Sequence, residues 1–84
     1  KISEGSLLSY HSIFKDKFLI YEVNYKNELF ENIKKSSEIA HICTISNTEI
    51  KLAKSEYLPV KNDVLILLVG EKHSHILEKY INDY

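Results

Sequence analysis

The sequence predicts a small α+β domain with the element order strand, helix, strand, strand, strand, helix, its helices packed on a mixed sheet. Three observations carry this expectation. Val64 to Val69 is an unbroken apolar run, too short to span a bilayer and bounded by Asn62-Asp63 and Gly70, which suits a strand buried at the centre of a sheet. Phe18 to Tyr25 alternates, with Leu19, Tyr21, Val23 and Tyr25 on one face and Glu22 and Asn24 on the other. Finally, His73 to Tyr84 sets Ile76, Leu77, Tyr80, Ile81 and Tyr84 along one side at helical spacing.

Along the chain, residues 1–17 fit two periods: Leu8, Tyr10 and Phe14 suit alternation, and Leu7, Tyr10 and Phe14 suit a helix. An extended lead-in or linker is expected there, with the domain proper over residues 18–84. After the Phe18 strand, Asn27 is suited to cap a helix. Glu28 and Glu31 near its start and Lys34 and Lys35 at its end complement the helix dipole, and Leu29, Phe30 and Ile33 form the apolar stripe. Ile39 to Ser46 follows as a strand apolar on both faces, Ile39, Cys43 and Ile45 on one and Ala40, Ile42 and Thr44 on the other, so it calls for cover on two sides. Asn47-Thr48 suits a hairpin turn into Glu49 to Lys54, where Ile50 and Leu52 are expected to point inward and Glu49 and Lys51 to solvent. Pro59 and Asn62-Asp63 punctuate the chain before the central strand, Asn62 being a residue that tolerates a left-handed turn.

Composition bounds what the domain does. At 84 residues there is room for a single core, and a chain of this size buries only roughly 60 to 65% of its unfolded surface, so stability as a lone copy is marginal. Eleven lysines balance twelve carboxylates to a net charge of −1, and there is no arginine for bidentate recognition of phosphate or bases, which argues against nucleic acid as a partner. The single cysteine, Cys43, has no internal disulfide partner and lies among isoleucines, consistent with a reduced thiol in a cytoplasmic setting without direct membrane insertion. Because the chain begins at Lys1 and contains no methionine, it is expected to be a piece of a longer polypeptide.

Three blocks, YEVNYKNELFENI (Tyr21 to Ile33), IAHICTISNTEIKLA (Ile39 to Ala53) and YLPVKNDVLILLVGEKHSHILEKYI (Tyr57 to Ile81), follow one known pattern: a hairpin, a leucine, a turn with aspartate, an apolar run, a glycine and a closing helix. In this the chain resembles the RCK C-terminal (TrkA-C) domains of bacterial potassium channels and transporters, over about residues 18–82. The resemblance implies a cytoplasmic regulatory lobe of a potassium channel, potassium uptake system or cation transporter. It also implies that the lobe pairs as a homodimer, follows an upstream nucleotide-binding lobe, works with a membrane channel or transporter subunit, and has no cofactor of its own. An effector such as a cyclic dinucleotide or a cation would act at the pair. The chain departs from the family at Asn62, where many members have glycine, at Phe30 or Glu31, where they often have glycine, at Ser46, where they have arginine, and at Ala53, where they have proline. The last two are residues from which relatives build a ligand pocket.

Candidate residues follow from both lines of reading. For a ligand they are His41, Ser46 and Asn47, and for a dimer interface Ile39, Ile42 and Thr44. His41 interrupts an apolar strand and is either a satisfied, half-buried histidine or a pH-responsive group at a subunit seam. His73 and His75 point apart on a helix and no third ligand accompanies them, so no metal is expected. Cys43 has no activating base, and Glu28 and Glu31 suit a solvated helix start better than an acid-base pair, so no catalytic residue and no enzyme are expected. The six tyrosines suit core packing with wet hydroxyls. The alternative to a regulatory lobe is a plain protein-interaction and dimerisation module with no small-molecule ligand.

Overall fold

The computed structural model describes residues 7–83. It holds β1 (Leu7–Ile13), β2 (Phe18–Asn24), α1 (Asn27–Lys35), β3 (Ile39–Ser46), β4 (Glu49–Leu52), β5 (Val64–Gly70) and α2 (Ser74–Asp83), the last preceded by a 3-10 turn at Glu71–His73. The strands form one sheet in the order β1-β2-β5-β3-β4. Every hydrogen-bonded pair is antiparallel, so the expectation of a mixed sheet is corrected. β2 and β3 do run in the same direction, as strands joined through a helix must, but β5 inserts between them and pairs antiparallel with both.

The Val64 run takes the central place because it alone is apolar at every position. Leu65, Leu67 and Val69 project to one face and are 0 to 1% exposed. They meet Tyr21 and Val23 of β2, Ile39 of β3, Leu29, Phe30 and Ile33 of α1, and Leu77 and Ile81 of α2 in one cluster. Both helices therefore cover the same face. Ile76 and Tyr80 pack at the margin of this core, while Tyr84 lies outside the described residues. Inside it, the Tyr21 hydroxyl donates to Glu78 Oε2 at 2.9 Å, tying α2 to the sheet, and burial followed by the Glu78 carboxylate pushes the Tyr21 pKa well above its ordinary value.

Several local expectations change. Residues 7–13, expected as a lead-in, form an edge strand paired with β2. A register shift between Leu7 and Ser9 puts Leu7 opposite Val23 and Tyr10 opposite Tyr21, where the two tyrosine rings stack at 5.4 Å. A bulge thus places residues three apart on one face, which is why this strand also reads as a helix. A second shift between His41 and Cys43 reverses the parity of β3: Ile39, His41 and Thr44 stand opposite core-facing residues, and Cys43 and Ile45 stand on the other face. At α1 the capping position is Lys26 and not Asn27, and the Asn27 Oδ1 instead accepts a hydrogen bond from the Tyr25 hydroxyl at 3.3 Å.

Turns are made largely without glycine. Asn47 and Asn62 adopt φ of 56° and 76°, as their short polar side chains allow. The β1–β2 turn is costlier, since Phe14, Lys15 and Asp16 take φ of 53°, 56° and 66° in succession. The Ser12 hydroxyl, donating to Asp16 Oδ1 at 2.6 Å, and a Lys17 N–H to Phe14 carbonyl bond of 3.1 Å hold it. At each rim the edge differs. β4 is four residues long and carries Glu49 and Lys51, ion-paired at 3.0 Å, whereas β1 is seven residues long without a charged side chain.

Since a left-handed conformation costs an L-residue about 1 to 2 kcal/mol and glycine loses part of that gain to chain entropy, Lys15→Gly is expected to stabilise the fold by about 0.5 to 1 kcal/mol. The urea midpoint measures it; an unchanged or lowered midpoint would show that the turn carries no such strain.

Candidate functional site

The segment from β4 at one rim to β5 at the centre must pass the end of β3, and one polar cluster holds it there. Tyr57 in this segment donates its hydroxyl to Asp63 Oδ2 at 2.5 Å and lies 3.2 Å from Ser46 Oγ at the end of β3. The Val60 N–H donates to the same carboxylate oxygen at 3.0 Å, and the Asp63 carbonyl accepts the Tyr25 N–H at 2.8 Å. Asp63 is 4% exposed. Burial alone would raise its pKa, but the bonds from Tyr57, Val60 and Ser46 outweigh burial and hold the carboxyl below its ordinary 3.8. Lys51 Nζ sits 5.4 Å from the centre of the Tyr57 ring, on the solvent side. Ser46, expected at a ligand, is thus engaged in closing the fold, and Asn47 stands exposed at the hairpin tip.

His41 lies on the helix-covered face. Its Nε2 is 2.9 Å from Thr44 Oγ1, and the ring meets Phe30 edge-on at 5.5 Å. Burial lowers its pKa, opposed in part by the backbone at Cys43, so the imidazole is neutral at physiological pH. Ile39 and Thr44 are 5% and 1% exposed beneath the chain's own helices, which leaves neither with surface to offer a second chain. Ile42, the bulged residue, is 40% exposed. The structure brings His41 and Thr44 together, while Ser46 is engaged by Tyr57.

The sequence marks β3 as needing cover on two sides, and in the structure the side without helices extends across the second face of the sheet. Ile20 of β2, Val64, Ile66 and Leu68 of β5, and Cys43 and Ile45 of β3 lie across it, half-buried, on the side away from α1 and α2. Ile50 and Leu52, expected to point inward, belong to this face and are 67% and 52% exposed. Phe18 and Ile13 extend it at the far rim, each 40% exposed. Among strand residues on this face Glu22 is the one carboxylate, and no lysine lies on it. Burial raises the Cys43 thiol pKa, so the sulfur is held protonated and is a poor nucleophile. Among the described residues no helix is long and apolar enough to cross a membrane, and no three His, Cys, Asp or Glu side chains gather as a metal site.

No family model matches this chain, and no curated protein matches it.

The cluster at Asp63 has a pH signature. Its depressed pKa contributes stability that is present above the ordinary carboxylate value and is lost as pH falls through the lower folded value. Tyr57→Phe removes a charge-assisted bond and is expected to cost about 1.5 to 3 kcal/mol at neutral pH and to flatten the loss of stability as pH falls below the ordinary carboxylate value. Urea unfolding across that range reads both; identical pH profiles for the two proteins would remove Asp63 from the account.

Proposed function

We propose that this chain is a non-enzymatic regulatory domain that works as a homodimer, of the RCK C-terminal kind, in the cytoplasm beside a potassium channel, potassium uptake system or cation transporter. The observation that supports self-association is the uncovered sheet face. Five strands at ~4.8 Å spacing and a seven-residue central strand at ~3.3 Å rise give each copy a face of at most roughly 24 by 23 Å, less where β4 is short, so two copies stacked sheet to sheet would bury about 1,000 Å². That reaches the lower bound for a specific interface. With a single carboxylate and no lysine the face has no charge pattern to match an oppositely charged partner, and an apolar surface of this size suits a copy of itself better than water. A seam at this face would use Ile45, Ile50, Leu52, Ile66 and Leu68, with Ile42 beside it. The reading as a channel or transporter regulator rests on the resemblance and on an element order that agrees with it from β2 onward.

In such a pair an effector acts through its difference in affinity for two arrangements of the lobes, which are then passed to the membrane subunit. A cyclic dinucleotide or a cation is the effector class that the resemblance implies. The engagement of Ser46 by Tyr57 favours the second reading, an interaction module without a ligand at that place.

Two measurements test these readings. Sedimentation equilibrium is expected to find a dimer of the 9.8 kDa chain, and Ile66→Lys, on the open face, to raise the dissociation constant at least tenfold, about 1.4 kcal/mol, with the circular dichroism spectrum retained. A monomer at the highest concentration reached would overturn the pairing. Thermal-shift screening separates the regulator from the ligand-free module. A cyclic dinucleotide, a divalent cation or an adenine nucleotide at a hundredfold excess over its dissociation constant adds about 2.7 kcal/mol to stability, and flat melting temperatures throughout would favour the module.

A further inference from the structure

At the far rim of the open face, where Phe18 lies, and away from the Asp63 cluster, the β1–β2 turn and the start of the closing helix form a groove of about 580 Å³. It is lined by the rings of Phe14 and Phe18, by Lys15, Lys17 and Lys72, and by Gly70 at its floor. The two rings stand 6.0 Å apart and tilted by 46°, and Phe14 is 70% exposed despite being the most apolar residue of the turn. Such a ring is normally drawn under the sheet; here three successive left-handed residues hold it out beside the lysines. None of the three lysines makes an ion pair among the described residues. The carboxylates of Asp16, which accepts the Ser12 hydroxyl, and of Glu71 also line the groove, so three lysines against two carboxylates leave it an excess of one positive charge.

Gly70 sharpens the reading. Its φ of −66° and ψ of 148° suit any residue, so the turn does not require glycine. A side chain here would begin 3.9 Å from Phe18 and 4.0 Å from His73, at ordinary contact distance, and would grow into the groove. The missing side chain keeps the floor open.

We propose that this groove binds a small phosphorylated aromatic compound of the nucleoside polyphosphate class, its ring system against Phe14 and Phe18 and its phosphates on Lys15, Lys17 and Lys72. The volume lies within the range of small-molecule sites. Stacking of a base on an aromatic side chain and point-charge contacts from lysine are the two interactions such a ligand takes, and neither needs arginine. The groove uses none of the residues named for the dimer seam, so failure of the pairing leaves this site standing, and Gly70→Val tells an adenine-nucleotide melting shift that arises here from one that arises elsewhere.

The experiment is an amide NMR titration of the full chain with ATP, tripolyphosphate and adenosine as separate probes. ATP is expected to shift the amides of residues 14–18 and 70–73 saturably at millimolar concentration or below, more tightly than either fragment alone, and to weaken as salt is raised. Gly70→Val, which keeps all three lysines and both rings, and Lys17→Ala/Lys72→Ala are each expected to weaken ATP at least tenfold while the unliganded spectra retain the dispersion of the folded protein. Absence of saturable shifts, shifts confined to other residues, or equal affinity in both variants would overturn the proposal. So would tripolyphosphate binding as tightly as ATP, since the rings would then contribute nothing, and so would phosphatidylserine vesicles broadening the same amides with ATP unable to displace them, since the lysines would then belong to a membrane surface.

Discussion

Both helices of the described residues cover the same side of the five-stranded sheet, and this one constraint orders the rest of the molecule. Tyr21 and Val23, Leu65, Leu67 and Val69, and Ile39 and Thr44 meet α1 and α2 on one side and lose nearly all contact with water. Their strand neighbours on the other side, Ile20, Ile45, Ile66 and Leu68, are equally apolar and remain only partly buried. At ~25 cal/mol per Å² the apolar surface left open there is transfer free energy that a lone copy does not realise. A sequence that retains aliphatic side chains there, when charges would have made a better solvent face, is one in which that surface has a use.

The polar groups are placed where the chain must be held and burial alone has no direction. Asp63 gathers the Tyr57 hydroxyl, the Val60 N–H and Ser46 at the end where the chain crosses from the rim to the centre. Tyr21 and Glu78 make the corresponding tie beneath α2. His41 and Thr44 satisfy one another under Phe30. In each of the three contacts at least one partner is a buried polar side chain that would be costly to leave alone, and each commits to structure a residue type that could otherwise be read as chemistry.

How far the sequence discloses this depends on the range of the interaction concerned. Local chemistry reads well: Asn62 at a left-handed turn, the α1 stripe of Leu29, Phe30 and Ile33, and the central strand at Val64 follow from near neighbours in the chain. Parity reads less well, because one bulged residue changes it. The bulge beside Leu7 gives β1 a helical spacing, and that between His41 and Cys43 moves Thr44 under the helices and Cys43 out. Ile50 and Leu52 fail for a different reason. Alternation tells which residues share a face of a strand, but which face receives the helices is settled by packing elsewhere in the chain. The Asp63 cluster joins Ser46, Tyr57 and Asp63, whose spacing follows no repeat, and the Phe14 groove needs residues 14–18 and 70–73 brought together by β2 pairing with β5.

The unlike rims of the sheet have a further consequence. On the β4 side the short strand with its paired Glu49 and Lys51 offers a newcomer few backbone groups and a charged welcome, while on the β1 side seven residues present theirs with no charge to repel an incoming strand. Lateral growth through backbone pairing is thus a one-sided affair. Where β1 of one molecule meets β1 of another, both receptive margins are consumed and the outer margins of the joined ribbon are the guarded ones, so accretion halts at two and the polymerisation that threatens any open sheet has no next step.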